Sequence, residues 1–172
     1  MHSRDFAMKK HTISVLVENK FGVLARVAGL FSGRGYNIES LTVNHTQDPS
    51  VSRMTIVTVG DENVLEQIDK QLNKLIDVIK VTDLTGSEFI ERELALLKVK
   101  AGKGSRAEII QIVEIFGGKI LSVHKDELGI EIQGRAPEIE NFISLMKDFG
   151  IIEIARTGRV AISRNPGVTE EY

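Results

Sequence analysis

The stretch best suited to chemistry in this 172-residue chain is Glu18-Asn19-Lys20-Phe21-Gly22-Val23-Leu24. It stands where a strand-like alternation gives way to a helical period. A helix that starts there presents unpaired backbone N–H groups and the positive end of its dipole. Such groups bind a carboxylate without any catalytic side chain. Gly22 lets a ligand approach the backbone closely. Asn19 offers a carbonyl oxygen to an α-ammonium group and an NH₂ to a carboxylate. An amino acid carries both groups, and a neutral junction suits a zwitterion better than a dianion. A merely well-capped helix, with Asn19 in the cap region, satisfies the same spacing, so the residues by themselves leave both readings open.

Other chemistry is poorly supplied. His2, His11, His45 and His124 are not spaced as metal ligands with one another or with helical carboxylates. The paired acids Asp61/Glu62 and Asp126/Glu127 fall at turns, where acids serve helix starts and turn geometry. Neither a Gly-x-Ser-x-Gly elbow nor a Walker loop occurs. Gly102-Lys103-Gly104-Ser105 echoes the end of a phosphate loop, but its first Gly is missing, and a strand-to-helix turn explains it. No residue set reads as catalytic and none as a metal site.

The elements that must position the junction follow from period changes. Thr12–Glu18 alternates as a strand, and Val23, Leu24, Val27, Leu30 and Phe31 mark one helix face, stopped near Gly35. Ile38–Asn44 and Arg53–Val59 are strands around the polar loop His45–Ser52. A helix after Asp61 carries Leu65, Ile68, Leu72, Leu75 and Ile76, and Val78–Leu84 closes the unit. The order strand, helix, strand, strand, helix, strand is the ferredoxin-like βαββαβ pattern. Two helices cover one face of such a sheet; the other must be covered or be polar.

The pattern then repeats. Leu94–Lys100 is a strand. Ser105 and Glu108 predict a capping box for a helix bearing Ile109, Ile112, Val113 and Phe116. Ile120–His124 and Gly129–Gln133 are short strands. Ala136-Pro137 opens a helix with Ile139, Phe142, Ile143 and Met146, and Ile151–Ala155 ends the repeat, extended by Arg159–Ser163. The fold class is therefore α+β, with two ferredoxin-like domains in tandem at 11–84 and 94–164. Residues 85–93 read as a charged linker, and 1–10 and 165–172 as flexible ends.

Composition narrows the function classes. The net charge of −2 is spread evenly, which argues against nucleic acid as a partner. Absent Trp and 5% aromatics leave few stacking platforms and demand an aliphatic core. The lack of Cys removes disulfides, thiolate metal sites and cysteine nucleophiles and fits a cytoplasmic setting. No apolar run approaches a membrane span, and Met1–Lys10 lacks the apolar region of a secretory signal.

Asn-x-x-Gly-Val-Leu-x-x-Val, here Asn19 to Val27, resembles the opening of ACT domains, βαββαβ modules that bind amino acids at subunit interfaces. The longer run from Glu18 to Val43, including Gly33-Arg34-Gly35-Tyr36-Asn37-Ile38-Glu39-Ser40-Leu41, is more specific. With Ser52-Arg53-Met54-Thr55-Ile56-Val57, it resembles the regulatory small subunits of acetolactate synthase (acetohydroxyacid synthase). Glu91-Arg92-Glu93 and Ala155-Arg156-Thr157-Gly158 extend the likeness into the second half. The Asp-x-Pro that often precedes the ACT glycine is replaced by Asn19-Lys20-Phe21, the form nearer to the small subunits.

The resemblance implies a homodimeric, non-catalytic chain that binds the catalytic (large) subunit, activates it and confers valine feedback inhibition on branched-chain amino-acid synthesis. It implies no cofactor in this chain: thiamine diphosphate, Mg²⁺ and FAD belong to the catalytic subunit. The first domain is expected to be an ACT domain. Its effector residues would be Asn19, Gly22, Val23 and Leu24 from one protomer with Asn37 and Ile38 from the other. Gln47 and Asp48 would contact the catalytic subunit, and deletion of Gln47–Ser50 is expected to abolish activation while leaving valine binding. The competing readings are a free-standing ACT sensor of another enzyme or of transcription, and a nucleic-acid-binding ferredoxin-like domain.

Overall fold

The computed structural model describes residues 8–165. His2 lies outside the described residues, as do 1–7 and 166–172 of the ends expected to be flexible at 1–10 and 165–172; Lys9 and Lys10 are strand. The chain divides into two compact units, one running to Ile90 and resumed from Ala161, the other Glu91–Val160.

The first unit contains β1 (Lys9–Glu18), α1 (Val23–Gly33), β2 (Ile38–His45), β3 (Val51–Gly60), α2 (Glu62–Leu72) and β4 (Val78–Asp83). Its strands form an antiparallel sheet in the order β2-β3-β1-β4. Strand β1 begins at Lys9, ahead of the expected start at Thr12, because β3 is long enough to pair Lys9 with Gly60. Alternate residues Ile13, Val15 and Val17 meet Met54 and Ile56 and take the apolar faces of both helices: Val23, Val27 and Phe31 from α1, Ile68 and Leu72 from α2. Each such side chain contributes about 1.5–3 kcal/mol on burial. Asp61 caps α2, its carboxylate accepting from Val64 N–H (2.9 Å). The helix-free face carries a row of hydroxyls across all four strands, Thr42, Thr55, Ser14 and Thr82, but it is mixed rather than purely polar: Leu16 and Val57 share it, and Ser14, Thr55, Leu16 and Val57 are all buried.

The second unit has the same plan. After β5 (Phe89–Lys100) come α3 (Arg106–Ile115), β6 (Lys119–Val123), β7 (Glu127–Gly134), α4 (Ala136–Lys147) and β8 (Ile151–Arg156). The strand order is β6-β7-β5-β8; β9 (Val160–Ser163) pairs with β5 off this path and, from Ala161 on, is counted with the first unit, as is the start of β5. Its core joins Ala95, Leu97 and Val99 to Leu128, Ile130, Ile132 and the buried stripes Ile109/Val113 and Ile139/Phe142/Ile143/Met146. Phe116 packs edge-on against Phe142, with ring centroids 5.3 Å apart.

Three expectations fail locally. Helix α2 ends at Leu72, so Leu75 and Ile76, expected on its apolar face, lie beyond it, and Ile76 is exposed. The stretch Phe89–Glu93 is strand, not linker, and the division between units falls inside it. Here acids face inward: Glu93 lies on the side of Ala95, Leu97 and Val99, 5% exposed, and accepts from Arg156 Nε (2.5 Å), while Glu91 pairs with Arg159. Nor does Ser105 form a capping box. It sits in a helical conformation and its side chain caps nothing, because capping needs an extended N-cap residue. Arg106 instead bridges the preceding loop to the β6–β7 turn, its Nη2 donating to Ala101 O, His124 O and Lys125 O.

Candidate functional site

Strand β1 delivers Glu18 to the end of the first sheet, where its N–H donates to Asp77 O (2.8 Å). The chain then turns for four residues before α1. Gly22 is the N-cap residue, in the left-handed region at φ +79°, a conformation that glycine adopts without a Cβ penalty. No side chain caps α1 and no acid stands in its first turn. Val23 N–H makes only a long bond to Lys20 O (3.5 Å), so the start of the helix retains affinity for an anion. Val23 is buried in the core, whereas Phe21, Gly22 and Leu24 are exposed at the mouth of this terminus.

Asn19 does not serve as the cap. Three residues separate it from the helix, and it is bonded instead to the β2–β3 loop. Its Nδ2 donates to Pro49 O (2.8 Å) and its N–H to Ser50 O (2.7 Å). That loop is internally knotted. Asp48 Oδ1 accepts from Ser50 N–H (2.8 Å) and Ser50 Oγ–H (2.7 Å), bonds that hold the Asp48 carboxyl below the usual aspartate range. Val51 N–H donates to Asp48 O (3.0 Å) and Thr46 N–H to Val51 O (2.8 Å). Of the two residues expected to contact a partner, Gln47 is exposed, while Asp48 is half-buried and spends its carboxylate on the loop itself.

Sequence reading missed two residues here. Arg26, one helical turn beyond Gly22, donates from Nε (2.9 Å) and Nη2 (2.5 Å) to Asp77 Oδ2. Asp77 is buried, and its grip leaves Arg26 Nη1 3.1 Å from where a Cβ on Gly22 would stand. A guanidinium thus lies beside the open helix terminus, adding a charge-assisted donor to the dipole. The spacing of Gly22 and Arg26 was visible; the partner Asp77, far along the chain, was not.

Asn37 and Ile38 occupy the start of edge strand β2, where Asn37 O accepts from Thr58 Oγ1–H (2.6 Å). Ile38 pairs with Thr58, whereas Glu18 pairs with Val51. That separation along β3 is roughly 23 Å at about 3.3 Å per residue. One chain therefore does not bring Asn37 and Ile38 to Asn19 and Gly22.

Comparison with known proteins fits this geometry. A family model described as an AHAS small subunit-like ACT domain matches residues 13–80, and one described as the small subunit of acetolactate synthase matches 92–165. A probable acetolactate synthase small subunit from Archaeoglobus fulgidus is 55% identical over 155 residues, covering 90% of this chain and 97% of that protein. The acetolactate synthase small subunit of Aquifex aeolicus is 49% identical over 165 residues, covering 95% and 86% of the respective chains. The crystal structure of the acetolactate synthase small subunit from Thermotoga maritima is similar at a TM-score of 0.82 with 45% identity, over 91% of this chain and 98% of that one. By fold, by both family models and by identity along nine-tenths of its length, the chain belongs to the acetolactate synthase small-subunit family.

Proposed function

We propose that this chain is the regulatory subunit that binds the catalytic subunit of acetolactate synthase, raises its activity and makes it responsive to valine. The observation that carries the reading is the open N-terminus of α1 with Arg26 beside it, an anion-binding end on a module of ACT type. The chain is non-catalytic in this reading. Thiamine diphosphate, Mg²⁺ and FAD, and with them the bond-making chemistry, belong to the catalytic partner. The complex then works in the cytoplasm.

Valine would place its carboxylate on the amides near Val23 and Leu24, next to Arg26, and its ammonium on Asn19 Oδ1. Leu24 is exposed there and offers apolar surface to the isopropyl group. The second half of the pocket comes from a homodimer. Edge strand β2 pairs His45 with Ser52 at the Asn19 end of β3 and Ile38 with Thr58 at the other end. Antiparallel pairing of two β2 edges would reverse one copy against the other. Asn37 and Ile38 of the partner subunit would then stand near His45 and hence near Asn19. Packing discriminates only about 1–3 kcal/mol per methylene, so leucine and isoleucine are expected to act more weakly rather than not at all.

The test is to mix the chain with the catalytic subunit of its own organism and assay acetolactate formation with and without valine. Activation by the chain and inhibition by valine are expected. A catalytic subunit that neither binds the chain nor changes in rate would refute the reading and favour a free-standing sensor. The contact loop is probed by a point substitution. Deleting Gln47–Ser50 would remove both Asn19 partners, so it cannot separate activation from valine binding. Gln47→Ala leaves the knot intact. It is expected to cut activation at least fivefold at limiting small subunit, with valine affinity of the free chain unchanged; full activation would remove Gln47 from the contact.

A further inference from the structure

We infer that Asn19 couples the effector site to the Thr46–Ser50 loop, so that effector occupancy fixes that loop through one side-chain amide. The inference rests on the effector site proposed above and names its route of regulation. Asn19 belongs to two structures at once. It lies on the junction that leads to Gly22, and it holds the loop by Nδ2 to Pro49 O (2.8 Å) and by N–H to Ser50 O (2.7 Å). Its Oδ1 has no partner among the described residues.

The amide is planar, so Oδ1 and Nδ2 turn together about one torsion. A cationic ammonium on Oδ1 therefore fixes the plane and, with it, the donor to Pro49 O. It also draws electron density toward Oδ1 and makes the Nδ2–H a stronger donor. Beyond Pro49 the loop moves as a body, because Asp48 ties Ser50 by two bonds, Thr46 Oγ1 accepts from Asp48 N–H (3.1 Å), and Val51 N–H closes on Asp48 O (3.0 Å). Exposed Gln47 rides on that body. A bound ligand shifts such an equilibrium only by its differential affinity for the two loop states, and the coupling must be reciprocal.

Reciprocity supplies the experiment, run on the full chain without the catalytic subunit and with L-valine as the probe. Valine binding is measured by calorimetry, and amide exchange is followed at Thr46 and Val51. Saturating valine is expected to slow exchange at both amides about tenfold. Asp48→Ala, which unties the loop outside the effector pocket, is expected to weaken valine binding about tenfold. Failure of either result while valine binds the unaltered chain overturns the coupling and leaves the effector site standing. Absence of valine binding to the unaltered chain overturns both.

Discussion

Gly22→Asp is expected to raise the valine concentration needed for half-inhibition by about 100-fold, which corresponds to about 2.7 kcal/mol of lost binding. Two effects on binding act in the same direction, and backbone strain does not prevent folding. The residue sits at φ +79°, where an L side chain costs about 1–2 kcal/mol; Asp tolerates that region better than most residues, so the chain still folds. The new carboxylate would stand at the open start of α1 and take the place proposed for the effector's own carboxylate. A Cβ there meets Arg26 Nη1 at 3.1 Å, so the added acid has a cation waiting and becomes a tethered competitor. Activation of the catalytic subunit should persist, because the β2–β3 loop and its bonds to Asn19 are untouched. Inhibition curves and valine calorimetry on the same preparation check this. Gly22→Ala, strained but uncharged, is expected to lose less. Normal valine affinity in Gly22→Asp would place the effector elsewhere.

The junction was legible because its signals are local. Gly22 follows Asn19 by three residues, and the apolar positions after it keep helical spacing, so the strand-to-helix switch can be read along the chain. The two βαββαβ units were legible for the same reason, since alternation and helical stripes need only neighbouring residues. What stayed hidden depends on partners distant in sequence. Asn19 has cap chemistry, yet its amide goes to Pro49, which only the β1–β3 pairing brings near. Nothing local marks Arg26 either; the carboxylate that fixes it, Asp77, is far along the chain. The loop at Gln47 and Asp48 was legible as a polar projection, whereas the use of Asp48 inside the loop was not. The residues expected to bind effector lie at opposite ends of one sheet, so a site that joined them would need a second protomer, as the resemblance implies; spacing alone gave no reason for it.

The first half of β5 was hidden for a different reason, and the same physics yields the largest expected effect on stability. Glu91 and Glu93 alternate with Ile90 and Arg92, so the strand period is present but carried by acids where apolar residues are expected. Glu93 continues the inward row of Ala95, Leu97 and Val99, and Arg156 on β8 neutralises it while also reaching Glu140 (2.7 Å). The paired carboxylate of Glu93 raises the Arg156 pKa against the opposing effect of burial. Arg156→Met is therefore expected to leave a buried carboxylate uncompensated. Breaking a fully buried pair costs about 3–5 kcal/mol. The Arg156 side chain is 35% exposed, so water screens part of the interaction and about 2 kcal/mol is expected here. Native-state exchange of the Ala95 and Leu97 amides should accelerate about 30-fold if they exchange through opening of this unit. Glu93→Leu combined with Arg156→Met removes both charges and extends the apolar row, so the double variant should recover most of the loss. If the single variant exchanges like the unaltered chain, the inward acids do not hold β5. If the double variant remains as unstable as Arg156→Met, the loss comes from the arginine stem and Glu140 rather than from an orphaned Glu93.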